Sequence, residues 1–312
     1  MKRREFLQKS AMLGAAAAIP ATVLGRLSGG ALTRGAGADD AAAIPDPLRA
    51  PAKGTIPVAF LISDDAVVID FAGPWEVFNN VMLPSRGPTM DDQMPFRTYT
   101  VSESAAPIRA SGGMQIVPDY TLAKAPAPKV IVIPAQEGAG KASLEWIRQA
   151  SRATDVTMSV CTGAFVLAET GLLSGKAATT HHDSYSAFAM QYPDIRLRRG
   201  ARFVEEGNLA TSGGLSSGID LALRVVERYF GRAAVQSTVY QLEYQGTGWM
   251  DPNSNQEYAQ KRVSTAEHPL CPVCGMDVDP QNAPKSVYRG KTYYFCSQDH
   301  KQRFDQAPEK WL

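Results

Sequence analysis

Apolar residues follow two different periods along residues 55–245. Short, continuous apolar runs are typical of the buried strands of a parallel sheet. By contrast, Ile219, Leu223, Val226 and Phe230 recur at the spacing of an amphipathic helix. The strand-like runs lie at 57–62, 96–101, 129–134 and 156–160. Because such strands alternate with helical segments, the pattern predicts an α/β fold with a doubly wound, mostly parallel sheet.

Residues that favour turns and caps predict where several elements begin and end. Gly73-Pro74 predicts the start of a helix with proline in its first turn. Asp183 predicts a helix N-cap, and Gly231 predicts a helix end. Further helices are predicted at 142–151 and from 232 to about 244, and hairpins around 112–113 and 206–208.

The start of the chain has the character of an export signal. Arg3 and Arg4 precede an apolar stretch rich in alanine, and Ala36-Gly37-Ala38 offers small residues for cleavage. The run RREFLQKS resembles the twin-arginine signal. We therefore expect residues 1–38 to be a signal peptide, and the mature protein to be periplasmic or otherwise exported, without a membrane span.

Two polar, aperiodic stretches predict linkers that divide the rest of the chain. They lie at 39–54 and 246–269, so the predicted domains are 55–245 and a small module at 270–312. The net charge of +1, with no basic run in the body of the chain, argues against nucleic acid as a partner. We expect a small-molecule substrate and a homodimer.

Cys161 stands alone in the main domain, between a strand-like run and a segment with helical spacing. This arrangement predicts a tight strand-to-helix turn, where Gly163 and Ala164 let the helix begin close to the sheet. A sulfur at a helix N-terminus is favoured as a thiolate, so we predict a lowered pKa and a nucleophilic role for Cys161. The alternative is a buried, inert cysteine that packs as a small apolar residue.

Three separated segments together resemble the ThiJ/PfpI family, a branch of the class I glutamine-amidotransferase-like fold, which is flavodoxin-like. They read IDFAGPWEVF, VCTGAFVLAETGLLSGKAATTHH and TSGGLSSGIDLAL. Within the family, isonitrile hydratases and the sensor halves of some AraC-type regulators are most similar. The resemblance implies that Cys161 is the nucleophile, that Asp70 moves the proton and activates water, and that Thr162 supports the nitrogen. An isonitrile would then become an N-substituted formamide.

Other residues near these motifs have weaker arguments for a role. His181 follows a predicted short strand and is a candidate partner of the thiol, or a structural hydrogen-bond partner. Glu76 is a candidate supporting acid, or a solvated one. Thr162 stands where PfpI peptidases have histidine, which argues against proteolysis. The family usually has two glycines where Ala135 and Gln136 follow a strand, so we expect a reshaped pocket for a negatively charged intermediate.

The last 42 residues resemble the YHS domain through CPVCGM and YRGKTYYFCSQDHKQRF. Cys271 and Cys274 form a C-x-x-C pair, and Cys296 and His300 lie one helical turn apart. We predict that these four residues bind one metal ion, zinc or copper, because three thiolates disfavour harder cations. The alternative is a disulfide between Cys271 and Cys274, which export to an oxidising compartment would favour. A module this short also needs a metal or docking to be stable.

Three functional hypotheses follow from these features. The first is an exported cysteine hydratase or hydrolase, a lyase similar to isonitrile hydratase, with a metal-binding tail and no cofactor in the main domain. The second is a non-catalytic periplasmic protein that senses a small ligand or handles metal. The third is a deglycase-like stress protein that depends on Cys161 and His181.

Overall fold

A computed structural model describes residues 46–137, 139–260 and 263–312. The predicted signal peptide and the first part of the linker at 39–54 lie outside these ranges. Within them, no helix has both the length and the apolar character needed to span a bilayer.

The described residues form thirteen strands and eight α-helices, with short 3₁₀ turns between some of them. The strands are β1 (Ile56–Leu61), β2 (Phe96–Ser102), β3 (Ile108–Arg109), β4 (Gln115–Ile116), β5 (Tyr120–Thr121), β6 (Val130–Ile133), β7 (Val156–Ser159), β8 (Ala177–Ala178), β9 (Arg196–Leu197), β10 (Phe203–Glu206), β11 (Leu209–Ser212), β12 (Lys285–Tyr288) and β13 (Lys291–Tyr294). The helices are α1 (Val68–Asn79), α2 (Met90–Gln93), α3 (Lys141–Ala150), α4 (Gly163–Glu169), α5 (Tyr185–Gln191), α6 (Ser217–Phe230), α7 (Arg232–Gln241) and α8 (Gln298–Gln306).

Seven strands form the central sheet, in the order β10-β11-β7-β6-β1-β2-β5. All neighbours are parallel except the β10–β11 hairpin, which turns at Gly207. The sheet confirms the predicted α/β class. β7 lies between β6 and β11, so its carboxyl end opens at the edge where the loops after β6 and β11 also emerge.

Successive residues of the central strands face opposite sides of the sheet, as the period of a strand requires. Val130 and Val132 of β6 pack into the core that contains α1 and α6, whereas Ile131 and Ile133 pack against α3 and α4. Helices therefore cover both faces of the sheet, and this explains why the central strands β1 and β6 are apolar at every position.

The first helix begins earlier than predicted. α1 starts at Val68, and Pro74 lies inside it rather than in its first turn. Tertiary contacts stabilise the earlier start, because the Val67 N–H donates to the Ala135 carbonyl and the Val68 N–H to the Ser111 hydroxyl. As a result Asp70 belongs to the first helical turn, although the helix start predicted at Gly73-Pro74 would have placed it before the helix.

The prediction that Asp183 caps a helix is also wrong. α5 begins at Tyr185 after Ser184, and no side chain caps it. The ring of His181 instead accepts a hydrogen bond from the Asp183 N–H and caps the short 3₁₀ turn before α5. The backbone of Asp183 is a donor here, a role that local sequence signals do not reveal.

Part of the predicted second linker packs against the main domain. Trp249 is buried, and its backbone N–H donates to the Asp220 carboxylate at 3.0 Å. The Arg202 N–H donates to the Pro252 carbonyl at 2.7 Å. The polar composition of this stretch gave no sign that Trp249 is buried, or that its backbone is hydrogen-bonded to the buried carboxylate of Asp220.

The tail combines the β12–β13 hairpin, which turns at Arg289-Gly290, with α8. Its core is small and consists of five buried residues: Cys271, Val273, Val278, Phe295 and Phe304. One of these five is a predicted metal ligand.

Candidate functional site

Strand β7 ends in a tight turn that carries Cys161. The backbone φ of Cys161 is 58°, in the left-handed region that residues with side chains rarely adopt. Helix α4 begins two residues later at Gly163. A Cβ atom on Gly163 would lie 2.2 Å from the Ile133 carbonyl oxygen, so only glycine allows the helix to start there. The predicted strand–turn–helix elbow is confirmed.

Asp70 interacts with the thiol of this elbow. Its side chain is fully buried, and its Oδ2 accepts a 3.0 Å hydrogen bond from the Ala135 N–H. Its Oδ1 accepts no hydrogen bond of normal geometry from the described residues. Burial raises the pKa of Asp70 to about 7, while the Ala135 N–H and the Cys161 thiol act to lower it. The structure therefore brings the two predicted residues together.

The pKa of Cys161 contradicts the expectation from sequence. Burial of the thiol, followed by the charge of Asp70, raises this pKa to about 12. The Thr162 N–H at the start of the helix lowers it, but desolvation of the sulfur is the larger effect. The prediction of a lowered pKa is wrong, and the resting group is a thiol beside a carboxyl group. A thiolate would form when Asp70 accepts the proton.

Two further residues supply hydrogen-bond donors to the sulfur. Thr162 contributes its N–H and its hydroxyl, and Leu215 contributes its N–H. Leu215 has a φ of 50° and lies two residues after Gly213, whose carbonyl accepts a 3.0 Å hydrogen bond from the Cys161 N–H. Sequence reasoning missed Leu215. The available signal was the pair of glycines directly after β11, at the same sheet edge as Cys161.

The loop after β6 positions Asp70. The Ala135 N–H, in the loop where the sequence led us to expect a reshaped pocket, donates to the Asp70 carboxylate. The side chain of Gln136 accepts a 2.7 Å hydrogen bond from the Ser63 N–H. The loop that has Ala135 and Gln136 in place of two glycines thus orients the carboxyl group of Asp70.

His181 lies beside the loop that carries Leu215. A Cβ atom on Gly214 would lie 2.2 Å from His181 Cδ2, so the ring edge packs directly on this glycine. Burial, then the neighbouring His182, lowers the pKa of His181, and Asp183 acts to raise it. A direct catalytic role of His181 stays a prediction.

Glu76 is half-buried on α1, and its carboxylate accepts a 3.1 Å hydrogen bond from the Asn80 side chain. It lies six positions after Asp70, which at about 100° per residue places the two side chains on different faces of the helix. Its supporting role also stays a prediction.

In the tail, the structure brings together all four predicted metal ligands: Cys271, Cys274, Cys296 and His300. One donor atom from each lies within 4.8 Å of the others. The Cys274 and Cys296 sulfurs are 3.5 Å apart, and Nδ1 of His300 is 3.1 Å from Cys296 Sγ and 3.6 Å from Cys271 Sγ. Metal–ligand bonds of about 2.0 to 2.3 Å place tetrahedral ligands about 3.3 to 3.8 Å apart, so the donor set fits one metal ion.

All four cysteines are free thiols in the structure, so Cys271 and Cys274 are not joined in a disulfide. Cys271 accepts a hydrogen bond from Cys274, which lowers the pKa of the Cys271 thiol and raises that of Cys274. The thiols of this cluster are therefore close enough to form hydrogen bonds with one another, and this closeness is also what ligands of a single metal ion require.

The main domain and the tail each resemble a known protein family. Residues 57–228 match the DJ-1/PfpI family, and residues 271–312 match the YHS domain. The chain is 34% identical to isonitrile hydratase from Pseudomonas putida over 198 residues, which cover 60% of this chain and 78% of that protein. It is 30% identical to the HTH-type transcriptional regulator CdhR of Pseudomonas aeruginosa, over 45% of this chain and 43% of the regulator.

A solved structure of a family member has a similar fold. The crystal structure of a ThiJ/PfpI family protein from Pseudomonas syringae superposes with a TM-score of 0.54 at 25% identity, covering 65% of this chain and 81% of that one. The DJ-1/PfpI match includes the cysteine elbow and most of the central sheet, and the YHS match includes the four-residue cluster of the tail. The protein belongs to the DJ-1/PfpI family and carries a C-terminal YHS domain.

Proposed function

We propose that the main domain is a cysteine-dependent hydratase that converts a small isonitrile into an N-substituted formamide. The observation that carries the proposal is the buried pair of Cys161 and Asp70, in which each group shifts the pKa of the other. The similarity to isonitrile hydratase supports the choice of substrate class.

The reaction needs a nucleophile, a proton carrier and a polar group near the nitrogen. Asp70 takes the thiol proton and delivers it to the isonitrile carbon while Cys161 Sγ bonds to that carbon, which gives a thioformimidate. Asp70 then takes a proton from water as the water oxygen adds to the carbon, and gives this proton to the nitrogen. The C–S bond breaks as the proton of the new hydroxyl group passes to the sulfur, and the products are the formamide and the free thiol.

The donors around the sulfur suit this sequence of steps. The Thr162 hydroxyl and the Leu215 N–H both interact with Cys161 Sγ, so they stabilise negative charge as it develops there. Asp70 Oδ1, buried and without a hydrogen bond of normal geometry from the described residues, is available to the thiol proton or to water.

For the tail we propose one bound metal ion, zinc or copper, held by the Cys₃His cluster. Four protein ligands leave no open position, so the ion would supply structural stabilisation rather than catalysis. We also propose twin-arginine export to the periplasm, which would carry the folded, metal-loaded protein, and a homodimeric state.

The test compares Cys161→Ala and Asp70→Asn with Glu145→Gln, an exposed carboxylate on α3. Turnover of a simple alkyl isonitrile is followed by NMR of the formamide product. We expect both site variants to lose at least a thousandfold in rate, and Glu145→Gln to stay within about threefold of the wild type. Equal activity of Cys161→Ala and the wild type would exclude the proposal.

The second candidate function is ligand sensing without turnover, and the protonated thiol favours it because a raised pKa slows nucleophilic attack. Saturable isonitrile binding with no formamide formed, abolished by Cys161→Ala, would support sensing. Loss of binding only on disruption of the tail would support metal handling instead.

A further inference from the structure

A second group of metal-ligand side chains lies in the main domain, outside the Cys₃His cluster. It consists of His181, His182 and Asp183, on the loop after β8, and one ligand atom from each lies within 4.8 Å of the other two. His182 Nε2 is 3.3 Å from Asp183 Oδ1, and His181 Nδ1 is 3.9 Å from Asp183 Oδ2. For metal–nitrogen bonds of about 2.0 to 2.1 Å, tetrahedral ligand atoms stand about 3.3 to 3.4 Å apart. Small side-chain adjustments would therefore bring these atoms onto one ion.

The ring of His181 places one nitrogen in the group. Its Nδ1 accepts a long, 3.3 Å hydrogen bond from the Asp183 N–H, so an ion bound to Nδ1 would replace this weak hydrogen bond. The opposite edge of the ring packs on Gly214, and this packing holds the ring in place.

The surroundings leave room for a ligand on one side of the group. His182 stacks on Tyr258 with ring centroids 4.9 Å apart. His182 and Asp183 also line a cleft of about 1310 Å³, whose lining includes Cys271 and Gly275 of the tail but not Cys161. The side chains of His182 and Asp183 are 31% and 29% exposed, so they are partly shielded from water yet open to this cleft.

We propose that His181, His182 and Asp183 form a second metal site, for a borderline divalent cation such as Zn²⁺. Two imidazoles and a carboxylate suit this class of ion, whereas the thiolates of the tail select softer ones as well. Three protein ligands leave a fourth position open to the cleft, where water or a small anionic ligand would bind. The two sites thus differ in donor type: one has thiolates and the other has none.

Titration of the full-length chain with Co²⁺ tests the proposal, because the two donor sets differ in their spectra. Binding to thiolates produces intense sulfur-to-cobalt charge-transfer bands, whereas nitrogen and oxygen donors produce only weak d–d bands. We expect two equivalents to bind, the first with charge transfer and the second without. Mass spectrometry of the Zn²⁺-loaded protein should likewise show two ions per chain.

The variants are His182→Ala with Asp183→Asn, and as matched control His268→Ala, an exposed histidine outside both groups. We expect the double variant to lose the second equivalent, or to bind it at least tenfold more weakly, while it keeps the charge-transfer band of the first. His268→Ala should keep both. If the double variant also loses the charge-transfer band, the single Asp183→Asn variant is tested instead. It should lose the second equivalent and keep the band. A wild type that binds only one ion, or a second equivalent that survives these substitutions, would overturn the proposal.

Discussion

The cysteine of the main domain and the three cysteines of the tail are held in opposite ways. Cys161 sits on a backbone turn with a φ of 58°, supported by a seven-stranded sheet and an extensive core. The tail thiols stand together on a hairpin module whose core has five residues. The large domain can sustain a strained turn and a buried carboxyl group because its other interactions outweigh their cost. The small module has no such reserve, so its ligands must themselves contribute stability.

This contrast predicts different responses to the same perturbation. Removing a group from the Cys161 site should alter chemistry and leave the fold intact or even more stable. Removing the metal or a ligand from the tail should unfold the tail and leave the main domain unchanged. The following predictions run from the largest expected effect to the smallest.

Metal removal should have the largest effect. Binding of a structural zinc ion contributes about 10 to 16 kcal/mol in small zinc-dependent modules, far more than the core of this tail can supply. We expect a strong chelator, or Cys274→Ser, to abolish amide exchange protection in β12, β13 and α8. Hydrogen exchange with mass spectrometry measures this.

The control for the tail is the main domain of the same sample. Protection of β6 and β7 should be unchanged, and Cys161→Ala should leave the tail protected. Full protection of the tail without metal would contradict the prediction.

Gly163→Ala should destabilise the main domain by more than about 3 kcal/mol. The new Cβ would lie 2.2 Å from the Ile133 carbonyl oxygen, and backbone on both sides must shift. Gly171→Ala is the matched control, since its Cβ would meet no atom within 4 Å and only its φ of 80° is unfavourable, at a cost of about 1 to 2 kcal/mol. Urea denaturation compares the two, and equal losses would contradict the steric argument.

Asp70→Asn should stabilise the protein at pH 8 by about 1 to 3 kcal/mol. The folded pKa of Asp70, about 7, exceeds its ordinary value of 3.8, so the folded state holds a proton that the unfolded state has lost. The stability from this group is present below pH 4 and disappears as the pH rises through 7. The gain from asparagine should therefore shrink between pH 7 and pH 4.

Thermal unfolding at pH 4, 6 and 8 provides the measurement for this carboxyl group. The wild type at the same three pH values is the reference. A destabilised Asp70→Asn protein at pH 8 would indicate that the carboxylate makes stabilising contacts that outweigh its desolvation.

The smallest effect concerns the reactivity of Cys161. Since Asp70 raises the pKa of this thiol, Asp70→Asn should increase alkylation by iodoacetamide at pH 8 by about tenfold. In the wild type the rate should still be rising at pH 10. Mass spectrometry of the peptide containing Cys161, with the tail loaded with metal, measures both. An alkylation rate that stops rising near pH 7 would contradict this prediction, because it would show that Cys161 is already a thiolate in the resting protein.

Local and medium-range patterns determined much of this molecule in advance. The strand-like runs predicted β1, β2, β6 and β7, most clearly β1 and β6, which are apolar throughout because helices cover both faces of the sheet. The spacing around Cys161 predicted the elbow, and the cysteines and His300 of the tail predicted the donor set. Each of these properties depends on neighbours along the chain or on the chemistry of the side chain itself.

The remaining properties depend on contacts between segments far apart in sequence. The early start of α1 depends on the Ala135 carbonyl and the Ser111 hydroxyl, and the burial of Trp249 depends on Asp220. The pKa of Cys161 is the clearest case. The helix start favours the thiolate, but desolvation and a carboxyl group 91 positions earlier in the chain outweigh it. Electrostatics in a buried site depends on which groups share the same low-dielectric volume, and only the tertiary structure decides that.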